Sequence, residues 1–124
     1  MIVGAALVEL HVHGSHSLKA KRGVVRSIVS RVRNQFNVSV AEVGGQDTWQ
    51  RAVIGLSAAG SERTRVRQTL SRAVAFIESL HLAEVRASDC EIVDLPEGEG
   101  AEMAIEDELP WGDISAEVEV EEEL

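Results

Sequence analysis

Phe36-Asn37-Val38-Ser39-Val40-Ala41-Glu42-Val43-Gly44-Gly45-Gln46-Asp47-Thr48-Trp49-Gln50 reads as a helix end, a short strand, a turn and the entry to a second strand. Asn37 to Val43 is rich in β-branched valines, which pack well on a pleated surface. Gly44-Gly45-Gln46-Asp47 is the turn, where glycine reaches positive φ without a Cβ clash. From Gln50 to Ala58 the residues alternate, with Ala52, Ile54, Leu56 and Ala58 on one face. The centre of the chain is therefore an antiparallel hairpin with one apolar face, and that face requires a cover.

The segments on either side supply the cover. Residues 18–35 read as a helix with Leu18, Val25, Ile28, Val29, Val32 and Phe36 on one stripe. Ser17, after the turn Gly14-Ser15-His16, is positioned to cap it. Residues 62–80 read as a second helix, with Val66, Leu70, Ala73, Ile77 and Leu80 buried and Ser61 as its cap. Outside the helices lie two further strands. Residues 2–12 place Ile2, Gly4, Ala6, Val8, Leu10 and Val12 on one face and Val3, Leu7, Glu9, His11 and His13 on the other. Residues 83–95 form the last strand, and its apolar parity shifts between Val85/Ala87 and Cys90/Ile92, which predicts a bulge near Ser88-Asp89. The order β-α-β-β-α-β predicts a ferredoxin-like α+β sandwich: a four-stranded antiparallel sheet with both helices on one face.

The composition divides the chain in two. All 12 Lys and Arg lie between Lys19 and Arg86. Residues 1–95 carry nine acids against those twelve cations, a net +3, whereas residues 96–124 carry twelve acids and no cation. We therefore read 1–95 as the folded domain and 96–124 as an acidic, disordered tail, with Leu109-Pro110-Trp111-Gly112 as its one apolar island. A chain of 124 residues fits one domain, and 44% apolar with 3% aromatic residues predicts an aliphatic core. There is no run of about 18 apolar residues and no basic n-region at Met1-Ile2-Val3-Gly4, so neither a membrane span nor a signal peptide is expected. The single Cys90 fits a reducing, cytoplasmic setting and reads as a small buried residue.

Three separated motifs resemble the YlxP-like family of small bacterial proteins. They are Met1-Ile2-Val3-Gly4; Ser17-Leu18-Lys19 with Lys21-Arg22; and Phe36 to Val43 with Gln46-Asp47 and Trp49-Gln50. The resemblance spans about residues 1–95. It implies a ferredoxin-like fold and a cytoplasmic bacterial protein whose genes often neighbour those for translation-initiation and ribosome-binding factors. It carries no established activity. The acidic tail and His11, His13 and His16 lie outside the family pattern.

Four groupings could carry chemistry. Lys19, Arg22, Arg26 and Arg33 line one flank of the first helix, while Lys21 and Arg31 point elsewhere. No acid occurs from position 10 to position 41, so nothing within the helix offsets its six cations. The candidate nucleic-acid-binding set is Lys19, Lys21, Arg22, Arg26 and Arg33, against the reading of a solvated helix face. Glu42, Asp47, Trp49 and Gln50, with Lys21 and Arg22, form a motif cluster, read either as a catalytic or binding site or as a structural ion pair at a helix start. The uncovered sheet face lacks the aromatics of a base-stacking platform, since Tyr is absent and neither Phe lies on a strand. Val3, Leu7 and Val53 there fit a homodimer better. His11, His13 and His16 have no carboxylate or thiol at ligand spacing, so no metal is expected. With no nucleophile elbow, phosphate-cradling loop or metal-ligand run, the sequence points to a binding protein without a cofactor, its partner RNA, the ribosome or a second copy, rather than an enzyme.

Overall fold

The computed structural model describes residues 1–98. Its elements are β1 (Ile2–His11), α1 (Leu18–Gln35), β2 (Ser39–Gly44), β3 (Arg51–Gly60), α2 (Arg63–Ser79) and β4 (Glu84–Asp94). The sheet order is β2-β3-β1-β4, and every neighbouring pair is antiparallel. This is the ferredoxin-like sandwich expected from the element order. Residues 99–124, where the acidic tail falls, lie outside the described residues.

Each buried stripe follows the period of its element. Ile2, Ala6, Val8 and Leu10 of β1 and Ala52, Ile54, Leu56 and Ala58 of β3 face Val25, Ile28 and Val32 of α1 and Val66, Leu70, Ala73 and Ile77 of α2 in one core. The core is aliphatic, as expected, with Phe36 and Phe76 only partly buried at its edge. At Gly4 a Cβ would stand 2.6 Å from Leu70 Cδ1 and 2.7 Å from Val66 Cγ1, so glycine sets the α2–β1 distance there. Phe36 and Phe76 meet edge to face at 5.4 Å and close the gap between the helices.

Local signals hold at some ends and fail at others. The Ser17 hydroxyl accepts a hydrogen bond from Ala20 N at 3.1 Å, as an N-cap does. The second helix is capped by position at Glu62 rather than Ser61, with no side-chain cap hydrogen bond. The bulge in β4 falls at Arg86, not near Ser88-Asp89, because Glu9 pairs with Ala87 while Leu10 pairs with Val85. A second irregularity falls at Val43, between the pairs Glu42–Ile54 and Gly44–Val53. Cys90 is exposed, contrary to expectation. It pairs with Ala6 on the helix side of the sheet, but β4 is an edge strand and leaves it in an open crevice beside Leu70, Val74 and Glu78.

Candidate functional site

Lys21 lies in the centre of the buried stripe of α1, four residues before Val25, seven before Ile28 and eleven before Val32. Its side chain is 0% exposed. An ammonium there requires acceptors in place of water, and the fold provides four. Nζ donates to Glu42 Oε2 at 3.1 Å, Gly45 O at 2.6 Å, Gln46 O at 3.4 Å and Arg51 O at 3.3 Å. Lys21 therefore cannot meet an RNA phosphate and leaves the nucleic-acid-binding set. Within the motif cluster, Lys21 and Glu42 form an ion pair at 3.1 Å.

The turn around this lysine has its own constraints. Gly45 adopts φ +76°, and a Cβ there would stand 2.7 Å from the Arg51 carbonyl oxygen. Gly44 ends β2, so only Gly45 takes the left-handed conformation expected of the glycine pair. Thr48 N donates to Gly45 O at 3.1 Å, and Val12 N donates to Gln50 O at 2.8 Å, which joins this loop to the end of β1. Asp47, Trp49 and Gln50 are exposed on the loop surface, Trp49 at 54%. Lys21 thus ties a loop bearing an exposed indole to the start of α1, where Ser17, Lys19 and Arg22 lie.

The remaining cations of α1 are exposed. At about 100° per residue, Lys19, Arg22, Arg26 and Arg33 fall within an arc of roughly 60°. Arg33 Nη2 donates to Val40 O of the edge strand β2 at 3.2 Å, so this flank faces the β2 edge. Ten of the twelve Lys and Arg of the chain lie on the two helices, and the only acid within either is Glu78. Arg65 pairs with Glu62 at 3.3 Å. Among the described residues, Lys19, Arg22, Arg26, Arg31, Arg33, Arg63, Arg67 and Arg72 have no carboxylate within 4.0 Å. The α2 arginines were not in the sequence-derived set, although the topology that puts both helices on one face was already the signal that would add them.

The histidines arrange differently. His11 and His13 stack edge to face at 4.2 Å, and His13 Nε2 meets Glu84 Oε2 at 2.7 Å. Arg86 Nε donates to the other oxygen of Glu84 at 3.2 Å. Partial burial first, then the charges of Arg86 and His13, hold His11 below its ordinary pKa. The His13 hydrogen bond is the largest of the effects holding Glu84 below its own. His16 stands exposed in the loop, and no group of three or more His, Cys, Asp or Glu converges to hold a metal ion among the described residues.

The uncovered face of the sheet holds a shallow depression of about 440 Å³ whose lining includes Ala5, Leu7, Ala41, Val43, Gly55 and Ser57. Leu7 and Val43 are each 52% exposed there, and Val93 is 47% exposed. Val3 and Val53 are half-buried. Among the described residues, no helix is long and apolar enough to cross a membrane.

The chain is 45% identical over 78 residues to the uncharacterized protein YlxP of Bacillus subtilis, covering 63% of this chain and 85% of that one. Among solved structures, the cofactor-independent oxygenase SnoaB of Streptomyces nogalater aligns at 10% identity and TM-score 0.44, over 80% of this chain and 98% of that one. The de novo designed protein Foldit4 aligns at 11% identity and TM-score 0.43, over 77% of this chain and 98% of that one. Residues 3–90 match the family described as Protein of unknown function (DUF503), and the chain belongs to that family.

Proposed function

We propose that the protein is a cytoplasmic accessory factor that binds RNA, on or off the ribosome, through its helical layer, and that it acts by binding rather than by catalysis. The observation that carries this reading is the layer of eight exposed cations without a carboxylate partner among the described residues. Like charges crowded on two adjacent helices repel one another, and a polyanion relieves that repulsion while releasing its counterions. Trp49, on the β2–β3 loop that Lys21 bonds to, supplies one exposed ring on which an unpaired base can stack.

The test is RNA binding by fluorescence anisotropy across a salt series. Changing Lys19, Arg22, Arg26 and Arg33 together to Ala should weaken binding. Four lost contacts to a single strand should also flatten the slope of log affinity against log salt by about 3. The four side chains lie beside the buried stripe, so circular dichroism should show an intact fold. Equal affinity and equal slope for the two proteins would rule the helix out as the site.

A second reading is a homodimer through the uncovered sheet face, favoured by the depression between Leu7 and Val43. Three strands about 33 Å long and the six-residue β2, about 20 Å long, at a spacing of about 4.8 Å offer roughly 570 Å² per protomer. A standard interface buries about 800 Å² per partner, so the face alone is small for a stable dimer. Light scattering of the full chain decides this. A dimer that Leu7→Asp converts to monomer supports the reading, and a wild-type monomer at high micromolar concentration removes it.

A further inference from the structure

We infer that the acidic C-terminal stretch of this chain docks on the basic helical layer of the same molecule and competes with RNA for it. The regulatory part of this inference rests on the RNA-binding reading above; the docking part does not. Three observations carry it.

The first is where the stretch begins. Ile2 pairs with both Gly60 and Asp94, so the end of β4 and the end of β3 lie in one row at one end of the sheet. Leu95 is fastened at that end: its N–H donates to Met1 O at 2.8 Å, and the Met1 ammonium donates to Leu95 O at 2.7 Å. Arg63 opens α2 three residues after Gly60, with Arg65 and Arg67 following. The chain thus leaves the sheet at the end where α2 presents Arg63, Arg65 and Arg67; the N-cap Glu62 pairs with Arg65, while Arg63 and Arg67 have no carboxylate within 4.0 Å among the described residues. Cations at a helix N-terminus oppose the helix dipole, so an anion placed there offsets a local cost.

The second is charge. Residues 96–124 carry twelve carboxylates and no cation, from Glu97 to Glu123. The helices present eight exposed cations without a carboxylate partner among the described residues, and one acid, Glu78. No other surface among the described residues matches that sign and density: β4 and its flank carry Glu84, Asp89, Glu91 and Asp94, which would repel the stretch.

The third is reach. The 26 residues after Gly98 can span up to roughly 90 Å when extended, whereas α1, with 18 residues, is about 27 Å long. A segment tethered this closely presents itself at about millimolar effective concentration. If its electrostatic contact has a dissociation constant near ~100 μM, as non-specific polyanion contacts do, it lowers RNA affinity by roughly tenfold.

Two measurements on the full chain decide the inference. In a Cys90→Ser, Ser115→Cys protein carrying a nitroxide at position 115, the amides of Lys19, Arg22, Arg26, Arg33, Arg63 and Arg67 should broaden at low salt. They should recover at 1 M salt, where the screening length is about 3 Å. No broadening, or broadening confined to the uncovered sheet face, overturns docking whether or not RNA binds. In the second experiment every Glu and Asp of residues 97–124 is changed to Gln or Asn, and RNA affinity is measured. A gain of roughly tenfold at low salt that shrinks as salt rises supports competition. Measurable but equal binding by both proteins overturns competition and leaves the RNA reading standing. Binding by neither protein overturns both competition and the RNA reading, while the nitroxide still reports on docking.

Discussion

Replacing Lys21 with Met keeps the length of the side chain in the core and removes the one cation that joins α1 to the β2–β3 loop. Four acceptors lose a donor: Glu42 Oε2 and the carbonyls of Gly45, Gln46 and Arg51. Gly45 O keeps its bond from Thr48 N, and the Glu42 side chain is 20% exposed and can turn toward water. Removing one partner of a buried ion pair costs about 3–5 kcal/mol, and these two escapes place the expected cost near ~3 kcal/mol. For a folded domain of this size that is a fall in Tm of roughly 12–24 °C. Urea unfolding followed by circular dichroism measures the loss. Trp49 emission, read in a Trp111→Phe background, reports whether the loop has come free. Adding Glu42→Leu to Lys21→Met should recover part of the stability, because the stranded carboxylate is then gone. A Lys21→Met protein within about 0.5 kcal/mol of wild type, with unchanged Trp49 emission, would refute the claim that this lysine staples the loop.

The same loop gives a second expectation. Gly45→Ala forces a Cβ to within 2.7 Å of the Arg51 carbonyl at φ +76°, and should destabilise by about 2 kcal/mol or more, whereas Gly23→Ala on open helix surface should not destabilise. Chemical denaturation of the two variants compares them directly, and equal midpoints would contradict it. The histidine cluster predicts a pH profile. His11 binds its proton less tightly folded than unfolded, so its contribution is complete above the ordinary value of 6.5 and is lost as pH falls through 6.5 toward the folded value. Glu84 is held below its ordinary 4.5, so its contribution is present above 4.5 and is lost as pH falls through the folded value. Both slopes have the same sign, and stability should decline steadily from neutral pH into acid. His11→Ala should flatten the part between pH 7 and 5.5, and an unchanged urea-midpoint profile there would remove His11 as its cause. Gly4→Val should disrupt the α2–β1 contact, where even a Cβ meets Leu70 and Val66, and thermal melting should show a larger loss than for Ala5→Val on the exposed face.

Element order, helix limits and the two apolar faces were legible in the sequence because hydrophobic periodicity is a local property. Residues three and four apart must share a helix face, and residues two apart must share a strand face. The Ser17 cap was legible for the same reason, since its partner Ala20 lies three residues away. The division of charge between body and tail required only counting. The tertiary structure decided the rest, and in each case the deciding contact joins distant parts of the chain. Lys21 lies on the apolar stripe by its spacing. Whether a lysine there is buried or withdraws to water depends on acceptors 21 to 30 residues away, brought to it by the turn at Gly45. The bulge falls at Arg86 rather than at the parity break because a bulge belongs to the register between two strands, and β1 fixes that register. Cys90 is exposed because β4 lies at the sheet edge, a position in the strand order that strand periodicity alone does not encode. The arginines of α2 join those of α1 in one cationic layer only because the fold lays both helices on the same face of the sheet, where charges 30 to 50 residues apart in sequence act together.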